Sequence, residues 1–273
     1  MPETLEGQIA LHNERSAKVW SAGGKDYDEI SRGIADAIEH CVLRLDPQPG
    51  ERILDLSTGT GWTSRVVAQR GATVVGVDIA GDLLDVARAK AAAMRLPITY
   101  RLGDAESLPF DDGEFDAVVS TFGVMFASRP EAAAAELARV CRRGGRLALA
   151  TWTPDGNVFE MFKVMRRYMP LPPKGAPPSP FEWGRVERLI ELLGGAFHLR
   201  FERGLSYYRE SSADAAWRTF SSGYGPTRVL AESLDRDRFA SFRDDFTEFH
   251  AGFATDLGIC VPRTYLVTVG ERK

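Results

Sequence analysis

Cysteine is scarce in this chain: Cys41, Cys141 and Cys260 are its only three among 273 residues, far apart and odd in number. No Cys-x-x-Cys pair or Cys/His ligand spacing occurs, so neither a disulfide framework nor a zinc site is expected, and no metal. The thiols read as buried or half-buried groups of a reducing compartment. Histidine is almost as rare, with only His12, His40, His198 and His250. No apolar run approaches the roughly 20 residues needed to span a bilayer. The first residues, Met1-Pro2-Glu3-Thr4-Leu5-Glu6, are acidic and lack the apolar core of a signal segment. Nor is there a Lys/Arg-rich block, and a net charge of −4 argues against a partner with a phosphate backbone. The expectation is a soluble, cytoplasmic protein, monomer or homodimer, with no nucleic-acid or membrane partner.

What is present is a regular alternation of short β-rich runs with helical ones. Ile30, Ile34, Ala37, Ile38 and Cys41 recur at helical spacing, and Ser21-Ala22-Gly23-Gly24 reads as a joint between that helix and an earlier one. After Asp46-Pro47-Gln48-Pro49-Gly50, strands are expected at 52–56, 73–78, 98–102, 115–120 and 146–151, with helices at 61–70, 82–94 and 130–141 between them. Such alternation implies a parallel sheet with helices on both faces and every strand's carboxyl end along one edge. Beyond Trp152 the rhythm changes. A Pro-rich loop spans 170–178, a helix about 183–193, and strands 197–208 and 264–269. Between those last two strands lies a long helical insertion, roughly 213–254, rich in aromatic residues. The boundaries expected are a helical lid at 1–45, a core at 46–152, and a part of the same domain at 153–273 carrying a helical cap.

The first chemistry-bearing stretch is Asp55-Leu56-Ser57-Thr58-Gly59-Thr60-Gly61, which ends a strand and opens a helix. Its glycines allow positive φ and close approach of the backbone to a ligand. A tight turn with no ligand is the competing reading. Asp78 ends the next strand about 17 residues later, near the ~20-residue offset at which a carboxylate meets ribose hydroxyls. It could equally serve as a plain strand-end carboxylate or a helix cap. Gly103-Asp104-Ala105-Glu106 follows the third strand, where a carboxylate can accept from an exocyclic amine or shape a turn. Three such positions at three successive strand ends favour one ligand site.

These stretches, together with Val77-Asp78-Ile79, Ser107-Leu108-Pro109-Phe110, Phe115-Asp116-Ala117-Val118-Val119-Ser120-Thr121-Phe122-Gly123 and Arg139-Val140-Cys141-Arg142-Arg143-Gly144-Gly145, give the chain its resemblance. From about Tyr27 to Trp152 it resembles the class I S-adenosylmethionine-dependent methyltransferases, in particular the small-molecule branch with the ubiquinone and menaquinone biosynthesis enzymes. The resemblance implies a Rossmann-like α/β fold of seven mostly parallel strands with the last antiparallel. It implies S-adenosylmethionine as cofactor and S-adenosylhomocysteine as product. By the same resemblance, Asp55 and the backbone of Ser57, Thr58, Gly59 and Gly61 should hold the methionine part. Asp78 should hold the ribose, and Ile79 should pack on the adenine. Asp104, Ala105 and Glu106 should read the adenine edge, and Ser120, Thr121 and Phe122 should line the sulfonium pocket. Tyr27 resembles the family's cofactor-covering tyrosine, with Gly23-Gly24 letting such a lid move. Ser57 stands where the family has its first glycine. Against a nicotinamide cofactor, the third position of a G-x-G-x-x-G frame counted from Gly59 is Ser64, preceded by bulky Trp62.

Displacement at a sulfonium needs mainly alignment and exclusion of water, with a general base only where the acceptor must lose a proton. His250, with Tyr27, is the candidate catalytic group, and helix packing is the alternative for His250. Trp20, Met125, Trp152, Trp217 and Tyr224 are expected to line an aromatic pocket for a small organic acceptor, although each is also a plain core residue on its own. Two other functions stay open: a cofactor-binding protein of this fold that catalyses a non-transfer step such as cyclisation, and methylation of a macromolecule.

Overall fold

The structure, a computed structural model, describes residues 7–172 and 175–273. The acidic start at 1–6, and Pro173 and Lys174 of the Pro-rich loop, lie outside the described residues.

Strands β1 (Arg52–Leu56), β2 (Thr73–Asp78), β3 (Ile98–Leu102), β4 (Phe115–Thr121) and β5 (Cys141–Trp152) run parallel. β6 (Phe197–Glu210) and β5 both pair antiparallel with β8 (Gly258–Arg272), giving the order β3-β2-β1-β4-β5-β8-β6. The strand count is eight rather than seven, because Ala254–Thr255 (β7) forms a short hairpin with the start of β8. The buried strands are runs of Val, Ile, Leu and Ala, as a sheet covered on both faces requires. Strand order reverses between β1 and β4, so the loops that leave those two strands diverge and open a crevice at their carboxyl ends.

Helices α4 (Trp62–Ala68), α5 (Gly81–Ala93), α6 (Pro130–Val140) and α8 (Val186–Leu193) cross over between strands. Ahead of the sheet come α1 (Glu14–Ser21), α2 (Tyr27–Arg32) and α3 (Ala35–Leu45). The expected single helix through Ile30 and Cys41 is thus two, broken at Gly33-Ile34. There the Gly33 carbonyl accepts a hydrogen bond from the Arg263 guanidinium instead of continuing a helical ladder. Gly23-Gly24 lies between α1 and α2, as the expected joint does, but Gly23 also has a packing role. A side chain on Gly23 would meet the Gly223 carbonyl at 2.5 Å, so this glycine is required for close packing. Cys141, read as the end of a helix, is the first residue of β5.

The insertion before β8 consists of α9 (Ala213–Gly223), α10 (Gly225–Ser233) and α11 (Arg236–Ala251). Ser212 caps α9 by accepting from the Ala215 N–H at 3.1 Å, and Asp235 caps α11 by accepting from Arg238 N–H at 2.9 Å. α7 (Asn157–Arg166), which no sequence signal announced, packs beside α11. Together these helices stand over the carboxyl edge of the sheet.

Candidate active site

The crevice after β1 and β4 holds a cavity of about 670 Å³. Its walls come from the two strand-end loops (Ser57, Gly59, Phe122, Gly123), from β2 and its end (Asp78, Ile79), from Asp104-Ala105, and from the lid (Asn13, Ser16, Trp20, Tyr27). Ser57 has φ +57°, the left-handed region where a glycine is unstrained. The β1 loop therefore keeps a glycine's backbone shape at a cost of about 1–2 kcal/mol. Gly59 (φ +56°) is a true requirement, since a Cβ there would also press on the Tyr27 ring at 3.3 Å. Gly123 leaves room for Ser57, so the β4 loop can close against the β1 loop.

Asp78 is almost fully buried, and its Oδ2 accepts from the Gly59 N–H at 2.7 Å while its Oδ1 accepts from Ala80 N–H at 2.8 Å. Burial pushes its pKa up, against the opposing pull of those peptide N–H groups. It is a carboxylate with fewer donors than it can use. Burial, and secondarily the Asp78 charge, also raise the Tyr27 hydroxyl, which stays protonated and able to donate. Asp104 lines the cavity too, but its Oδ2 holds the Ala10 N–H (3.1 Å) and Asn13 Nδ2 (2.9 Å), and its Oδ1 holds the Glu106 N–H (3.0 Å). It fastens the N-terminal segment over the crevice, with one acceptor site of Oδ1 left over.

Several residues expected at the cofactor stand behind the cavity wall. Asp55 Oδ2 accepts from Thr58 Oγ1 (2.5 Å) and Ser64 Oγ (2.6 Å), and its Oδ1 has no partner. Burial raises its pKa to about 6. Asp55 and Thr58 thus brace the loop from below. Gly61 is a glycine because the Tyr100 hydroxyl occupies the space where a side chain would go. Glu106 accepts from Arg129 N–H (2.8 Å) and lies 2.8 Å from His12 Nε2, tying down the lid. Ser120 Oγ accepts from Val124 N–H, and Thr121 Oγ1 meets Thr63 Oγ1 at 2.6 Å. Each of these side chains is spent on holding a loop.

A second cavity, about 640 Å³, adjoins the first, and Trp20, Tyr27, Phe122 and Phe126 are walls of both. Trp152, stacked on Phe122 at 4.0 Å between centroids, and Tyr224 line it as expected. Met125 and Trp217 do not. Met125 is 1% exposed beneath the β4 loop, and Trp217 is packed edge-on against Phe242 and Phe246 in the core of the cap. His250 lines this second cavity. Its Nδ1 lies 2.8 Å from the Phe246 carbonyl, which can only accept, so Nδ1 carries the proton and Nε2 keeps a lone pair. Burial, and secondarily Arg263, hold its pKa below 6.5, so the ring is neutral near pH 7.

Sequence reasoning missed Asn157, Tyr208 and Arg263 in this wall. One signal for Arg263 exists. Ile259, Val261, Arg263 and Tyr265 alternate on the buried side of β8, so a period-two count places an arginine inward. No group of three or more His, Cys, Asp or Glu able to hold a metal ion occurs among the described residues. None of their helices is long and apolar enough to cross a membrane.

A sheet of this order, with a buried carboxylate at the β2 end and a glycine-bearing loop at the β1 end, has the arrangement in which open α/β sheets bind ligands, at the strand carboxyl edge. Residues 54–149 match the methyltransferase domain family. An uncharacterized protein of Mycobacterium tuberculosis is 42% identical over 237 residues, 84% of this chain and 85% of that one. Demethylmenaquinone methyltransferase of Thermus thermophilus is 37% identical over 180 residues, 63% of this chain and 70% of that enzyme. In fold, the chain is similar to a phosphoethanolamine N-methyltransferase of Haemonchus contortus, with a TM-score of 0.54 at 15% identity over 87% of this chain and 52% of that one. The chain belongs to the class I S-adenosylmethionine-dependent methyltransferases.

Proposed function

We propose that this protein transfers a methyl group from S-adenosylmethionine to a small, largely apolar or aromatic acceptor. The observation that carries this reading is the pair of cavities, one lined by Asp78 and the glycine loop, the other by aromatic rings, meeting at Trp20, Tyr27, Phe122 and Phe126. The first suits an adenosyl cofactor on chemical grounds. The Asp78 carboxylate accepts from only two peptide N–H groups and can take the donors that ribose hydroxyls would supply, Ile79 and Leu83 offer an apolar bed for a base, and Gly59 presents bare backbone to the cavity. The Haemonchus contortus neighbour is a complex with S-adenosylhomocysteine, which supports the same assignment. Asp104 Oδ1 and the Ala105 backbone complete the set at the adenine end, and Tyr27 closes over the loop. When bound, S-adenosylmethionine supplies a methyl group on an already activated sulfonium.

The chain's own part is alignment and dryness. Trp20, Phe122 and Phe126 exclude water at the junction of the two cavities, where a nucleophile and a methyl donor would meet. Neutral His250, through Nε2, takes the proton of an acceptor hydroxyl or amine. By this reading the N-terminal helices α1 to α3 and the cap helices α7 and α9 to α11 close the site built on the core. The three unpaired cysteines, two of them buried, support a cytoplasmic setting.

Two measurements test the proposal. Calorimetry with S-adenosylhomocysteine should show one saturable site per chain. Mass spectrometry of aromatic hydroxy and amino compounds incubated with protein and S-adenosylmethionine should show the gain of one methyl. Cofactor-dependent conversion of an acceptor without methyl gain would assign the fold a non-transfer reaction instead.

A further inference from the structure

Arg263 is the one cationic wall of the second cavity, and it is 7% exposed. Among the described residues no carboxylate lies within 4 Å of its guanidinium. Both of its hydrogen bonds leave from Nη2, to the Gly33 carbonyl and to Ser206 Oγ (3.3 Å), and its buried Nε has no partner. Asp36 is one step removed, accepting from Ser206 Oγ at 2.8 Å. The guanidinium carbon lies 5.5 Å from the Trp152 ring and 5.3 Å from the Tyr208 ring, both walls of the same cavity. Those π faces offset part of the burial of a cation, but they do not neutralise it. Burial pulls the Arg263 pKa down to about 10, so the charge persists near neutral pH. Beside it, the Tyr208 hydroxyl is buried without a hydrogen-bond partner, and neutral His250 brings no opposing charge. A cation whose Nη1 makes no hydrogen bond thus lines an aromatic cavity that offers no anion of its own, with the Tyr208 hydroxyl buried next to it near Thr219.

Resting on the methyl-transfer reading above, we infer that the acceptor is an apolar acid whose anionic oxygen group is anchored by Arg263 and Tyr208. Arg263 is a wall of the second cavity only, whereas the cofactor cavity begins at Phe122 and Trp20. The anion is therefore anchored within the second cavity, and the atom to be methylated lies between that anchor and the junction, in the cavity that His250 also lines. This excludes neutral quinols and amines without an acid group as preferred acceptors, because they would leave the guanidinium unpaired.

The test uses the whole protein, with and without S-adenosylhomocysteine, and follows quenching of tryptophan emission, to which Trp20 and Trp152 contribute from the cavity wall. The probes are benzoate, 2-naphthoate and indole-3-carboxylate, each against its neutral carboxamide. Acids should bind at least about tenfold more tightly than amides, the difference a charge-assisted pair commands. Arg263→Gln should bring acid affinity down to the amide level, Arg263→Lys should keep part of the preference, and Tyr208→Phe should weaken acid binding alone. S-adenosylhomocysteine affinity should stay unchanged in all three. Arg263 also holds the Gly33 carbonyl, so if Arg263→Gln does not fold, the wild-type acid-to-amide ratio and Tyr208→Phe decide. Equal binding of acids and amides, no saturable acid binding up to millimolar concentration, or an acid preference retained in Arg263→Gln would overturn the inference. Failure to bind S-adenosylhomocysteine would instead count against the methyl-transfer reading, and acid binding without it would still report on Arg263.

Discussion

Asp78→Asn tests the cofactor assignment with the least disturbance of shape. In the native protein the two carboxylate oxygens accept from two peptide N–H groups, Gly59 at 2.7 Å and Ala80 at 2.8 Å. An asparagine has one oxygen for those two donors, so its amide must face one of them donor to donor. Loss of one charge-assisted bond, with a buried N–H left unpaired, costs about 2 kcal/mol, and removing a buried charge offsets part of that. Ligand affinity should fall further, because a carboxylate can accept from both ribose hydroxyls and an amide from only one. That difference of about 2–3 kcal/mol corresponds to about 30- to 150-fold in Kd. The assay is calorimetry with S-adenosylhomocysteine at pH 7.5, with urea unfolding of the same samples to separate affinity from stability. Since burial raises the Asp78 pKa and ribose donors favour its ionised form, wild-type affinity should weaken as pH falls through that raised value. A folded Asp78→Asn protein whose Kd stays within about threefold of wild type would refute the ribose assignment.

Two further outcomes follow from the same geometry. Asp55 has a folded-state pKa of about 6 against an ordinary 3.8, so between those values the native state holds more protons than the unfolded chain and stability falls as pH rises, by up to about 3 kcal/mol. Urea unfolding from pH 4 to 7 should show this slope in wild type and a smaller one in Asp55→Asn, where buried Asp78 still contributes; an unchanged slope would remove Asp55 as its source. His250→Gln should lower kcat by about 100-fold with S-adenosylhomocysteine affinity intact, and wild-type kcat should decline with acid below the depressed imidazole pKa. Normal turnover in His250→Gln would return His250 to a packing role.

The parallel core was legible because its signals are local. Buried Val/Ile/Leu runs of strand length, glycines where φ is positive, and carboxylates at strand ends each follow from a few neighbouring residues. Asp78 and Gly59 could be named this way, Ile79 and Phe122 through the family resemblance, and all four stand in one cavity wall. The break at Gly33-Ile34 was not legible, since it depends on a guanidinium 230 positions away. Asp55, Thr58, Ser120 and Thr121 belong to the right loops, yet their side chains turn away to hold those loops in place, a division of labour that spacing does not reveal.

By itself, then, the sequence determined the β–α order, the crevice at the carboxyl edge and the carboxylate at its centre, because helical and strand periodicity and turn chemistry act over a few residues. Only the tertiary structure decided which aromatic rings face a ligand and which face one another, separating Trp152 and Tyr224 from Met125 and Trp217. It also decided that Arg263 has no carboxylate in direct contact, Asp36 reaching it only across Ser206. Pairing of a buried charge depends on what every packed element brings to it, here α2, α3, β6 and α11 around one residue of β8, and no stretch of sequence carries that sum.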